Sequence, residues 1–231
     1  MVAIISAGIA PGIALLCYFY LKDQYESEPI GMVLRSFIFG ALLVFPVMVI
    51  QYGFTEEKVF VSDLAEAYVM SGFLEEFLKW FILYFTVYMH FEFNEFYDGI
   101  VYAVAISLGF ASVENVFFLI ATGIDQALGR ALLPVSSHAL YGVIMGSYLG
   151  RAKMDLGKKK GRWILLSLLF PIVLHGTYDF ILLTVDRFWI YLVPFMLVLW
   201  AIGLRKVKVA NLNQAKVLKD QESIHFEKKE I

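Results

Sequence analysis

Residues 64–89 read LAEAYVMSGFLEEFLKWFILYFTVYM, an apolar run that keeps Glu75, Glu76 and Lys79 in its interior. A bilayer core is crossed by about 20 predominantly apolar residues. A charged side chain at its centre costs roughly 2.5–3.5 kcal/mol on insertion scales. A run of this kind is a membrane helix whose charged groups turn toward other helices and serve a function. Glu114, His138, His175 and Asp179 lie inside other apolar runs of the chain.

The rest of the sequence agrees on the class. The chain has 231 residues, of which 60% are hydrophobic, and its mean hydropathy is +0.71. Hydropathy predicts about seven spans, near residues 2–21, 32–54, 64–89, 97–122, 128–150, 163–185 and 188–204. Segments in lipid must pair their own backbone groups, so helices are expected. The predicted fold is therefore all-α, a polytopic membrane helical bundle. Residues 1–204 form the membrane-embedded domain and residues 205–231 a polar cytoplasmic tail.

The first run lacks a basic n-region and a small-residue cleavage site before Lys22, so it reads as a retained span. Cys17 is the single cysteine. It can form no intramolecular disulfide and reads as packing. A net charge of -2 gives no basic surface for nucleic acid.

Lysine and arginine set the orientation. The loop holding Arg151, Lys153, Lys158, Lys159, Lys160 and Arg162, and the tail opening with Arg205, Lys206 and Lys208, are expected inside. The loops around Lys58, Arg130 and Arg187 then fall outside, as does the N-terminus.

Counting inward from the outer ends brings Glu75, Glu114, His138 and His175 to similar depth, roughly 12–16 Å in at 1.5 Å per residue. Ser71, Glu75 and Lys79 share an i, i+4 stripe. Gly99, Ala103, Ser107 and Ala111 form a small-residue stripe that Glu114 continues, and His138 lies on one with Gly142, Gly146 and Gly150. Small residues let membrane helices approach closely, so Glu114 and His138 are expected to face the bundle. His175 and Asp179 share a face. Pro134 and Pro171 each precede a histidine by four residues, and a proline kink there could open a polar cavity.

Lys79 paired with Glu75 would fix helix packing, but such a pair leaves Glu76 unexplained. Carboxylates and imidazoles at one depth suit several chemistries. In the first, a glutamate activates water for peptide hydrolysis while a histidine or asparagine stabilises the oxyanion. In the second, the same hydrolysis uses a divalent metal such as zinc, with His138, His175 and Glu114 as candidate ligands. Proton- or ion-coupled transport through the same groups is the alternative from another class, and an inert scaffold is a third. Glu75, Glu76, His175, Glu114, His138 and Asp179 are the candidate catalytic residues, supported by Lys79 and Asn115. No HExxH, GxSxG or Walker pattern occurs in the chain.

Taken in order, GFLEEFLKW (72–80), YDGIVY (97–102), LGFASVEN (108–115), LPVSSHAL (133–140) and LHGTYDF (174–180) resemble the PrsW family. These are bacterial membrane-embedded proteases related to the CAAX-processing and bacteriocin-processing proteases. The resemblance implies a multi-pass protein of the bacterial cell membrane. It implies site-1 cleavage of a single-pass, membrane-tethered anti-sigma factor, releasing a sigma factor in an envelope stress response. It also carries over Glu75 and Glu76 as the catalytic pair and His175 as an essential partner. An FxxxH motif of the CAAX relatives aligns with Phe110 to Glu114, so glutamate replaces histidine here and the assembly of the base stays open. The HxxxN/D motif matches His175 and Asp179. Aspartate is a poorer oxyanion donor than asparagine, so Asp179 is expected to position His175.

Overall fold

A computed structural model describes residues 1–59, 61–155 and 157–227. The helices α1 (Val2–Tyr20), α2 (Ile30–Glu56), α3 (Leu74–Leu83), α4 (Asp98–Thr122), α5 (Ser136–Met154), α6 (Lys160–Thr184) and α7 (Trp189–Glu227) account for most of it. There is no strand among the described residues. Five helices are long and apolar enough to cross a membrane, namely α1, α2, α4, α6 and the stretch Trp189–Gln221 of α7. The segments holding α3 and α5 are the interrupted ones, and both carry site residues.

Helix α4 is the axis of the bundle and packs against α1, α2 and α5. Its first fifteen residues, 98–112, are all buried, which the small-residue stripe allows. At the α4–α5 crossing, Gly99 and Gly146 face each other so closely that a Cβ on either would collide with the other's carbonyl. Backbone approach of this kind maximises van der Waals contact where lipid offers no hydrophobic drive.

The third crossing was expected as a single helix, and the structure shows a composite. Ser62 caps its start, its Oγ accepting from the Ala65 amide at 3.2 Å. A π-helical segment, Glu66–Phe73, then leads into α3, and a second, Tyr84–Tyr88, follows it. The wider turn has a packing reason. Gly72 lies against the Ile172 carbonyl and Gly176 of α6, and Gly176 in turn lies under the Tyr68 ring. The chain bends onto α6 there, and π-type turns of this sort often occur at functional sites.

The fifth crossing begins with a short 3₁₀ turn (Ile124–Gln126), a four-residue helix (Ala127–Arg130) and a π turn (Ala131–Val135) containing Pro134. Ser136 Oγ donates to the Leu132 carbonyl at 2.6 Å and to that of Leu133 at 3.3 Å. Carbonyls of the π turn are thereby satisfied inside the protein. Pro171, by contrast, sits within an unbroken α6, so the two proline–histidine pairs differ in structure.

The end of the bundle where α4 begins is closed by polar contacts among the loops after α1 and α3 and the start of α4. Tyr20 OH donates to the Glu28 carbonyl at 2.8 Å, and Tyr102 OH donates to Glu28 Oε2. The amides of Asn94 and Glu95 both donate to Asp98 Oδ2 at 2.6 Å. Helix α7 runs past residue 204 without a break. Asn211 and Gln214, in the polar tail expected to be solvated or interfacial, are buried within the protein. Asn211 Nδ2 donates to the Lys22 carbonyl at 3.1 Å, and Gln214 Oε1 accepts from the Phe96 amide at 3.5 Å. Residues 228–231 of that tail lie outside the described residues.

Candidate active site

Glu75 and Glu76 open α3 directly after the π segment, and Lys79 follows one turn later. All three side chains are buried, Glu76 and Lys79 completely. The Lys79 ammonium is the hub: Nζ lies 2.8 Å from Glu76 Oε1, 3.3 Å from Glu75 Oε2 and 3.1 Å from His138 Nδ1. The sequence suggested Glu75 as its partner, yet the shorter contact is to Glu76. An ammonium can only donate, so His138 Nδ1 accepts and its Nε2–H faces Glu114 Oε2, 3.1 Å away.

Helix α6 supplies the second imidazole. His175 Nδ1 lies 2.9 Å from Glu76 Oε1, while Nε2 lies 3.4 Å from Asp179 Oδ2 and 4.0 Å from Glu75 Oε2. The Tyr141 ring stacks on His175 at 5.1 Å, and the two histidines meet edge to face at 5.0 Å. These packed rings fix the orientation of both imidazoles.

The polar groups surround a cavity of about 250 Å³ lined by Gln51, Glu75, Glu114, His138, His175 and Asp179, among others. Its size and polar lining suit ordered water. Glu76 is not among the lining residues and sits behind Glu75. Sequence reasoning missed Gln51 and Arg130. Gln51 Nε2 donates to the Met70 carbonyl at 3.2 Å and to Glu75 Oε1 at 3.3 Å, tying the π segment to the glutamate it presents. A single glutamine near the end of an apolar span carries no signal of this. Arg130 Nη2 donates to Glu114 Oε1 at 3.1 Å, and its Nε donates to Asn115 Oδ1 at 3.3 Å. Asn115 Nδ2 reaches the Gly8 carbonyl at 3.0 Å, so Asn115 links the site to α1 and stands outside the cavity.

Ligating atoms of Glu75, Glu76, His138 and His175 all lie within 4.8 Å of one another. Two carboxylates and two imidazoles are a donor set that zinc accepts. Glu76 Oε2 is buried with no partner, which leaves lone pairs for a cation, so the residues fit a divalent metal. Glu114 does not belong to this set. It binds the far nitrogen of His138, held there by Arg130, a residue the sequence had suggested only as part of an outer loop.

The sequence model of a family described as "PrsW family intramembrane metalloprotease" matches residues 28–202. Proteins named "Protease PrsW" are similar to nearly all of the chain. That of Bacillus subtilis (strain 168) is 58% identical over 210 residues, covering 91% of this chain and 96% of its own length. That of Halalkalibacterium halodurans is 56% identical over 212 residues, covering 91% and 98%. A more distant one, from Clostridioides difficile (strain 630), is 32% identical over 197 residues, covering 81% and 82%. No solved structure shows a significant match.

Proposed function

Because this chain belongs to the PrsW family of intramembrane metalloproteases and is a membrane-embedded peptidase, we propose that it makes the first cut in a single-pass anti-sigma factor. The cut falls in the extracytoplasmic part of that substrate and leads, after later proteolysis, to release of a sigma factor in the bacterial cell membrane's stress response. The observation that carries this reading is the cavity in which Glu75 meets His138, His175 and Asp179. Arg130, Pro134 and Leu182 also line it, near the ends of helices that charge counting puts outside. An unwound juxtamembrane segment of the substrate would reach it from that side.

Glu75 is the general base, since it lines the cavity while Glu76 lies behind it. Its carboxylate takes a proton from water as the oxygen attacks the scissile carbonyl carbon, and then returns that proton to the leaving nitrogen as the C–N bond breaks. His175 Nε2–H, held between Glu75 and Asp179 before the substrate arrives, turns to the developing oxyanion. Asp179 positions His175 from one side and Glu76 from the other. Glu114 and Arg130 hold His138 from behind. Glu75, Glu76, His138 and His175 would hold a divalent ion, zinc by the donor types, and bound there it would supply Lewis-acid polarisation of the scissile carbonyl in place of the His175 N–H.

The test is cleavage of a membrane-tethered anti-sigma factor in proteoliposomes by the parent, Glu75→Gln, Glu76→Gln and His175→Ala. General-base loss is expected to lower kcat of Glu75→Gln by roughly 10²–10⁴-fold. Cleavage by Glu75→Gln at the parental rate overturns the assignment.

A further inference from the structure

The Lys79 ammonium sits where a metal would have to sit. Its three contacts, to Glu76 Oε1 at 2.8 Å, His138 Nδ1 at 3.1 Å and Glu75 Oε2 at 3.3 Å, are to side chains that make up three of the four converging ligands. The Phe110 ring covers the ammonium from another side, its centroid 4.1 Å from Nζ. Lys79 is 0% exposed. An ammonium has three N–H donors and no acceptor, so these three acceptors use its donors completely.

Metal–ligand distances for zinc are about 2.0–2.2 Å. An ion drawn to the same carboxylate oxygens and imidazole nitrogen would stand almost in contact with Nζ. Two positive charges that close, in a site shielded from water, repel strongly. The lone pairs involved also cannot serve both partners, because His138 Nδ1 has a single one and it already accepts from Lys79.

We propose that Lys79 is a resident cation of this site, so that its ammonium and a divalent metal occupy the Glu75–Glu76–His138 cluster in mutually exclusive fashion. Metal loading requires the lysine stem to withdraw its head, which a flexible four-carbon chain permits and a planar guanidinium would resist. Lys79 then sets how tightly the site holds metal and keeps the acidic pair compensated when no metal is bound. The inference builds on the peptidase reading of the cluster but concerns ion occupancy, not turnover.

Zinc binding to the full chain in detergent decides it. The protein is stripped with chelator, titrated with zinc by calorimetry, and the bound metal counted by mass spectrometry. Lys79→Met keeps the unbranched stem and removes the charge. It is expected to bind one zinc per chain with Kd at least tenfold below that of the parent, and Glu76→Gln in the same background should abolish the gain. Lys79→Gln carries the same expectation if the methionine variant is not monodisperse. Binding no tighter than the parent's in these variants, or a gain that survives Glu76→Gln, overturns the proposal. Neither result touches the assignment of Glu75 as the base, which stands or falls on cleavage by Glu75→Gln.

Discussion

Two groups of buried and half-buried carboxylates occupy opposite ends of the bundle, and they are compensated in different ways. Around the cavity, Glu75, Glu76 and Glu114 are met by Lys79, Arg130 and two histidines. At the opposite end, Glu28 is met by the neutral hydroxyl of Tyr102, and Asp98 by backbone amides. Here Glu28 keeps its proton at neutral pH. Burial, and then hydrogen bonding to Asp98, pushes the Glu28 carboxyl up from 4.5 to about 9. Burial likewise raises Glu95 to about 7 and Asp23 to about 6. The lesson is that an acid held by cations is available to chemistry, whereas one held by its own proton serves as an uncharged strut. Depth alone does not separate the two.

The sharpest test of this contrast removes one acid from each end. Glu76→Ala leaves the Lys79 ammonium partly uncompensated in a dry site, and breaking buried pairs costs about 3–5 kcal/mol. With Glu75 remaining, the low end of that range is expected as lost stability in detergent. Glu28→Ala strips a neutral partner from Tyr102 and should cost about 1–3 kcal/mol. Denaturation midpoints of the two variants measure the difference, and a larger loss for Glu28→Ala would invert the comparison.

Next in size is Arg130→Met, which frees Glu114 behind His138. A hydrogen bond to a charged group contributes about 1.5–3 kcal/mol, so kcat should fall at least tenfold with KM little changed. Because Arg130 lies outside the metal-ligand group, zinc stoichiometry should not move. Smaller still is Gln51→Leu. It removes the tie between Met70 and Glu75, and a net loss of about 1 kcal/mol corresponds to a roughly fivefold drop in kcat/KM.

The mildest effect is one of pH. Glu28 has a folded pKa above its unfolded value, so its contribution to stability is complete below pH 4.5 and is lost as pH rises toward about 9. The sign follows from linkage: in that window the unfolded chain has released a proton that the folded chain still holds. Melting in detergent at pH 5, 7 and 9 should therefore show a decline that is shallower in Glu28→Gln, whose amide resembles the protonated acid. An identical decline in both would remove Glu28 from the account.

The membrane-crossing helical fold was legible because apolar runs of bilayer length have few alternatives. The meeting of Glu75, Glu114, His138 and His175 at one depth was legible for a related reason, since ionisable groups stand out in such runs and small-residue stripes indicate the inward face. The π segment at Glu66–Phe73 was not, because nothing in its composition distinguishes a turn of wider hydrogen-bond register. Arg130 read as loop charge, and only the fold of residues 124–135 brings it back against Glu114. Asn211 and Gln214 looked like solvated tail because polar residues past a span have no visible partner in the sequence. The transport reading of the same acids yields to the family match over residues 28–202.

The carbonyl-to-glycine seam between Gly99 and Gly146 has a mechanical corollary. With no side chains in the joint, there is nothing to re-rotamer, and α4 and α5 can only travel as one slab. A polypeptide that reaches His138 would do so through the cavity, where Gln51 of α2 holds the Met70 carbonyl of the π segment and the Glu75 carboxylate. A bulkier residue at Gly99 or Gly146 would wedge that slab apart, whereas loss of the Gln51 amide would leave it intact.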